Sequence, residues 1–209
     1  MKSYDQYCPV ACALDVVGDR WTLLVLRELS LGPQRFTDLK RQLHGIPPKL
    51  LVERLDSLQA HGLVDRQAVG DGARHVYVLT EEGERVREPL RALARFGVQF
   101  LPEDAPGQLR PRGALSALLL AYARPVPEAA GARWRIVLDG TPFDVLVDAK
   151  GVPRFIDGFG DAPDDEFAAR IVDLIELRRS GEPVRAPADS ALTRAFGLSR
   201  VADAGYAPA

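Results

Sequence analysis

The side chains able to do chemistry in this chain are few and unevenly placed. Two thiols, Cys8 and Cys12, lie one helical turn apart near the start, and Cys8 is followed by Pro9. A helix N-terminus favours the thiolate through its unpaired backbone donors. Cys8 is therefore a candidate thiol sensor, with simple burial as the alternative, and Cys12, a turn further in, is expected to be a buried packing residue. The second group is cationic. Between Arg35 and Arg54 stand Arg35, Lys40, Arg41, Lys49 and Arg54 against Asp38 and Glu53, a local net charge of +3. Such a set can hold phosphate and read base edges but breaks no bonds. The two cysteines complete no zinc set, and from residue 102 onward there is neither His nor Cys. Asp144, Asp148, Asp157, Asp161, Asp164 and Asp165 lack the spacing of a calcium loop. The expectation is no catalytic residue, no metal and no cofactor, and hence no enzyme.

Periodicity supplies the elements that must position these groups. Val10–Val17 reads as a short helix closed by Gly18, and Asp19 as the cap of an almost wholly apolar helix, Trp21–Leu31. Phe36, Leu39 and Leu43 mark a third helix that Gln34 or Thr37 could begin. Pro47-Pro48 fits the opening of a fourth, where no backbone donor is needed. Leu51, Leu55 and Leu58 give that helix its core face, and Gly62 stops it. Residues 63–69 and 74–79 flank Gly70-Asp71-Gly72, a hairpin signal. Amphipathic helices closed by a glycine-tipped hairpin are the parts of a winged helix, a fold that lays one helix in the DNA major groove.

With Leu51, Leu55 and Leu58 inward, about 100° per residue turns Lys49, Val52, Glu53 and Asp56 outward. Pro48, Lys49, Val52 and Glu53 are the candidates at base edges, and Arg54 on the flank is expected at phosphate. Arg20, Arg35 and Arg41 could add phosphate contacts, and Arg74 and His75 could reach DNA from the wing. Composition cuts the other way. Residues 1–100 hold 14 Lys and Arg against 13 Asp and Glu, and the whole chain carries −2. Any basic footprint must be local, and Glu53 and Asp56 repel phosphate unless paired within the helix.

The ordered motifs Cys8-Pro9-Val10, Gly18-Asp19-Arg20-Trp21-Thr22-Leu23-Leu24, Arg35-Phe36-Thr37-Asp38-Leu39 and Gly45-Ile46-Pro47-Pro48-Lys49-Leu50-Leu51 resemble the HxlR family of winged-helix transcription factors over about residues 5–100. The resemblance implies a homodimer on a palindromic or repeated operator, and a place at Cys8 where some members keep a redox- or electrophile-responsive thiol. Two departures stand out. Pro47 replaces a frequent Ser, and the frequent Gly-Gly-Lys-Trp is Gly18-Asp19-Arg20-Trp21, which keeps the cation and adds an acid beside it.

Thr80 reads as a helix cap with Glu81 and Glu82 in the first turn. Val86, Leu90, Leu93, Gly97 and Phe100 then recur at steps of four and three, a dimerisation seam or, alternatively, a face packed on its own domain. Pro89 should bend or split this helix. Residues 102–113, rich in Pro, Gly and charge, read as a linker between a domain at 1–101 and another at 114–209. The second reads as an apolar helix at 114–123, strands at 134–138, 143–148 and 152–157, a long helix at 166–179 and a short one at 188–196. This makes an α+β fold with a small antiparallel sheet. It is weakly similar to sterol-carrier-like domains, whose final strand would have to fall between Phe159 and Asp164. On that resemblance Leu118, Leu119, Trp134, Phe143, Phe155 and Ile171 would line a site for a small apolar effector, or else simply fill a core.

The fold class expected is thus α+β, an N-terminal winged helix-turn-helix with a dimerisation helix followed by a C-terminal α+β domain. The function expected is a homodimeric, sequence-specific regulator of double-stranded DNA, a repressor. The alternative is a small-ligand carrier or protein-interaction module whose winged helix does not bind DNA. The polar start lacks an apolar signal core and no run suits a membrane helix, so a cytoplasmic protein with no membrane partner is expected.

Overall fold

A computed structural model describes residues 3–70, 74–100, 111–156, 162–174 and 190–196. The chain divides into two units, residues 1–93 and 94–209, with the division inside one helix. Among the described residues no helix is long and apolar enough to cross a membrane.

In the first unit α1 (Pro9–Val17) starts after an extended Cys8 and ends at Gly18. The next helix, α2 (Thr22–Ser30), buries Val25, Leu26 and Leu29, as an almost wholly apolar helix should. Its buried polar groups are also engaged. Glu28 accepts from the Arg27 guanidinium at 2.6 Å, and the Ser30 hydroxyl donates to the Arg27 carbonyl at 2.7 Å. The cap expected at Asp19 is displaced. Trp21 occupies the N-cap without a side-chain bond, and Asp19 Oδ1 accepts the Trp21 N–H at 2.9 Å, two residues ahead.

The third helix, α3 (Phe36–Gln42), has Arg35 at its N-cap and no side-chain cap, so neither Gln34 nor Thr37 plays that part. Gln34 is used elsewhere. Its N–H donates to the Tyr77 carbonyl at 3.0 Å and its carbonyl accepts from Tyr77 N–H at 2.7 Å. Pro47, at φ −63° and ψ 137°, caps α4 (Pro48–Ala60), and Leu51, Leu55 and Leu58 on it are fully buried. The hairpin pairs β1 (Val64–Val69) with β2 (Arg74–Leu79) in antiparallel register from Val64↔Leu79 to Val69↔Arg74. Residues 71–73 of its tip lie outside the described residues.

Thr80 caps α5 (Glu81–Glu84). Its hydroxyl accepts the Gly83 N–H at 2.9 Å and donates to the Gly62 carbonyl at 2.6 Å. A Cβ at Gly83 would stand 1.9 Å from the Leu63 carbonyl oxygen, so only glycine lets this turn lie against β1. A turn at residues 85–86 separates α5 from α6 (Arg87–Gly97). Pro89 therefore sits in the first turn of a new helix, where its missing donor costs nothing.

In the second unit α7 (Pro111–Ala117) runs into a π-helical turn, Leu118–Tyr122. Its sheet has the order β5-β4-β3-β6. β3 (Arg133–Leu138) pairs antiparallel with β4 (Thr141–Val147), and β4 with β5 (Pro153–Ile156). The β3–β4 turn places Asp139 and Gly140 at φ 47° and 77°, as a type I′ turn requires. Trp134, Ile136 and Leu138 alternate onto the buried face of β3, and Trp134 meets Phe196 edge-to-face at 6.3 Å.

Two expectations fail in this unit. The sheet is mixed, and the segment expected to begin a long helix at 166 is a strand. β6 (Asp165–Ala169) runs parallel to β3 from Trp134↔Asp165 to Leu138↔Ala169. Asp165, Phe167 and Ala169 are half-buried while Glu166 and Ala168 are exposed. That period of two matches a strand beside β3, although Phe167, Ile171 and Leu174 also fit a helical spacing. Helix begins only at 171, where Asp139 Oδ1 accepts the Ile171 N–H at 3.1 Å. Residues 159–161 of the interval expected to hold a final strand lie outside the described residues, and residues 162–164 form no strand. The linker at 102–110, the helix expected beyond 174 and Asp157 and Asp161 lie outside the described residues.

Candidate nucleic-acid interface

The outward face of α4 carries Lys49, Val52, Glu53 and Asp56, all exposed opposite the buried leucines. Pro48 sits at its first position, also exposed, and Leu51 N–H reaches the Pro47 carbonyl at 3.1 Å, so helical bonding starts at once after the proline pair. Lys49 is therefore held within the first turn. Arg35 is exposed at the start of α3, and the exposed Arg41 pairs with Asp38 at 2.9 Å. Arg20 is exposed, its guanidinium 5.8 Å from the Trp21 ring centre. On the hairpin Arg74 and His75 are exposed opposite Val69 and Ala68. Arg66 on β1 is a further exposed cation on the same hairpin, signalled in the sequence by its place in the strand pattern.

Arg54 departs from expectation. Its side chain is 17% exposed and turns toward the α1–α2 turn, with Nε 3.6 Å from Asp19 Oδ1 and Nη2 3.9 Å from Glu53 Oε2. Asp19 Oδ1 thus faces both the Trp21 amide and the Arg54 guanidinium. A flank position in the helix did not mean a solvent position in the fold, because the turn before α2 supplies a carboxylate there.

The thiols also separate differently. Cys8 is half-buried at the N-cap of α1, and Cys12 is exposed, its Sγ 3.9 Å from the Gln6 carbonyl oxygen. The expectation of a buried Cys12 fails because α1 buries only Ala11. Among the seam residues Leu90 is buried and Val86 half-buried within the chain, while Leu93 and Phe100 are 47% and 67% exposed. Gly97 leaves open space where a Cβ would stand. Phe96, outside the four–three series, is 62% exposed and stacks edge-to-face on Phe100 at 5.2 Å. Its spacing of three from Leu93 and four to Phe100 was the available signal.

In the second unit Leu118, Leu119, Trp134, Phe143 and Ile171 are buried and Phe155 is half-buried. Phe143 and Phe155 meet at 6.1 Å, and the Arg112 guanidinium lies 4.9 Å from the Phe155 ring centre. Two carboxylates of this unit pair with arginines. Asp164 accepts the Arg133 backbone N–H at 2.7 Å and Asp173 the Arg170 guanidinium at 2.5 Å, bonds that hold both carboxyls below the usual aspartate range. Among the described residues no group of three or more His, Cys, Asp or Glu could hold a metal ion.

The HxlR-like helix-turn-helix family matches residues 16–105. An uncharacterised HTH-type transcriptional regulator of Mycobacterium tuberculosis is 44% identical over 104 residues, 48% of this chain and 65% of that protein. The uncharacterised HTH-type regulator YtfH of Escherichia coli is 38% identical over 101 residues, 48% of this chain and 80% of that one. This chain thus spans just under two thirds of the mycobacterial relative. A solved structure from Porphyromonas gingivalis, described as a MarR-family transcriptional regulator, is 31% identical and covers 48% of this chain and 100% of its own at a TM-score of 0.44.

Proposed function

Since this chain belongs to the HxlR-like helix-turn-helix family, we propose that it is a sequence-specific regulator that lays α4 in the major groove of duplex DNA as a homodimer. The observation that carries the reading is the two-sided character of α4. Three leucines anchor one face, and Lys49, Val52 and Glu53 are exposed on the other near the helix start. Those residue types suit guanine, a thymine methyl and a cytosine amino group respectively. Arg35, Arg66 and Arg74, all exposed, supply charge for phosphate, and exposed His75 a further hydrogen-bonding group.

The homodimer rests on α6. Leu93, Phe96 and Phe100 present an apolar surface along one helix and the turn that follows it, which water disfavours and a second copy would cover. Two-fold pairing sets two recognition helices about one DNA turn apart.

A mobility shift with the intergenic duplex upstream of its own gene, against a scrambled duplex at rising salt, tests the proposal. The expected result is preference for the upstream duplex and a steep loss of affinity with salt. Absence of binding to either duplex would favour the alternative of a protein-interaction module, for which the net charge of −2 and exposed Glu53 and Asp56 are suited.

A further inference from the structure

We infer that Trp21 is a positioning residue for DNA binding, whose ring seats the Arg20 guanidinium beside α4 so that Arg20 meets a phosphate at the edge of the groove. The inference rests on the DNA-binding reading of α4. Three consecutive residues place the contact. Asp19 Oδ1 lies 3.6 Å from Arg54 Nε, on the second turn of α4. Trp21 reaches the turn that leads into α4, where a Cβ at Gly45 would stand 4.0 Å from Trp21 Cη2. Arg20, between them in the chain, is exposed, and its guanidinium carbon lies 5.8 Å from the centre of the Trp21 ring. Residues 19–21 therefore run along the N-terminal half of α4, the half that carries Lys49 and Val52. The half-buried ring is itself held, since Asp19 Oδ1 accepts the Trp21 N–H at 2.9 Å at the N-cap of α2.

The cations near α4 are held in different ways. Arg41 pairs with Asp38 at 2.9 Å, and Arg54 faces the carboxylates of Asp19 and Glu53. A carboxylate competes with phosphate for the same N–H donors. An aromatic face instead attracts the guanidinium through the ring quadrupole and leaves the in-plane donors for an oxygen acceptor. Arg20 seated on Trp21 also loses less side-chain freedom on binding than an arginine loose at the surface. A phosphate contact carries no sequence information, but it fixes the register and orientation of the protein on the duplex. Seated beside the reading half of α4, Arg20 sets how Lys49 and Val52 approach the base edges.

The full chain is titrated with its upstream duplex and with a scrambled duplex over a range of salt, with thermal melting as a check on folding. The variants are Arg20→Gln, Trp21→Leu, Trp21→Phe and the double variant of Arg20→Gln with Trp21→Leu. Arg20→Gln should weaken both duplexes and lower the slope of log affinity against log salt by about 0.9. Trp21→Leu keeps the cation and removes its seat, so the slope should stay near wild type while affinity falls about two- to fivefold. Trp21→Phe should recover most of that loss, and in the double variant Trp21→Leu should add nothing to Arg20→Gln. An unchanged slope in Arg20→Gln overturns the inference, and so does wild-type affinity in folded Trp21→Leu. An equal loss from Trp21→Leu in both backgrounds overturns it too, because that marks the ring as packing alone. Should Trp21→Leu not melt cooperatively, a polyfluorinated tryptophan at position 21 keeps the ring and weakens its pull on the cation. It should give the same loss of affinity, and wild-type binding there overturns the inference. The DNA-binding reading fails separately, on the wild-type titration, if no salt-dependent binding occurs there, and the inference then falls with it.

Discussion

Gln34 and Tyr77 exchange both backbone hydrogen bonds, N–H to carbonyl at 3.0 Å and 2.7 Å, and so join the turn before α3 to the second strand of the hairpin. A two-stranded hairpin alone is marginal in water. This single bridge adds a third backbone to it and fixes the wing relative to α3 and α4. Hydrogen exchange measures the consequence. The amides of Gln34 and Tyr77 should be protected together with the ladder from Val64↔Leu79 to Val69↔Arg74. Exchange of Gln34 at the rate of an open loop would show that the wing is not held.

The apolar surface of α6 predicts the effect of Leu93→Asp. Leu93 is 47% exposed in the single chain, so the fold should tolerate the change, while a carboxylate facing a partner helix is costly. Sedimentation should show more monomer, and affinity for the upstream duplex should fall because one half-site is lost. Phe96→Asp should do the same. A dimer undisturbed by both changes would put the interface elsewhere.

The thiols are expected to label in a definite order. Cys12, exposed, should react with maleimide before half-buried Cys8, as read by mass spectrometry of Cys8→Ser and Cys12→Ser. If Cys8 senses oxidants, loss of DNA binding on peroxide treatment should persist in Cys12→Ser and vanish in Cys8→Ser. Loss that persists in Cys8→Ser removes the sensor role.

How much of this was legible in the chain depends on the range of the interaction concerned. The start of α4 at Pro48 and its buried Leu51, Leu55 and Leu58 follow from local spacing, and so does the exposed face of Lys49, Val52 and Glu53. The two strands of the hairpin, on either side of Gly70, also follow from local pattern. What the sequence hid is tertiary. Gln34 is a polar residue at a plausible helix start, and only Tyr77, far along the chain, reveals its use in a bridge. Arg54 looks solvent-bound on a helical wheel until Asp19 arrives from another turn. Phe167 belongs both to a helical series with Ile171 and Leu174 and to an alternating one with Asp165 and Ala169, and the parallel edge of β3 decides between them.

Acid should weaken the second unit in a predictable direction. Asp164 is held below the ordinary aspartate range first by the Arg133 backbone N–H and then by its guanidinium, and Asp173 by the Arg170 side chain. A carboxyl with a lowered folded value stabilises above its unfolded value, and the gain is lost as pH falls through the folded one. Thermal melting should therefore separate wild type from Asp164→Asn near neutrality and bring them together in strong acid. A separation that is the same at both pH values would contradict the assignment.

The central claim is that the free face of α4 reads base pairs, and Lys49 tests it most directly. Affinity of wild type and Lys49→Ala is measured against a panel of upstream duplexes in which each base pair of the bound site is changed in turn. The account predicts that Lys49→Ala costs about 1–3 kcal/mol on the unchanged duplex and abolishes discrimination at one base pair per half-site, leaving the others intact. A variant that keeps the full wild-type pattern of preferences, or that weakens every duplex by the same factor, would contradict it.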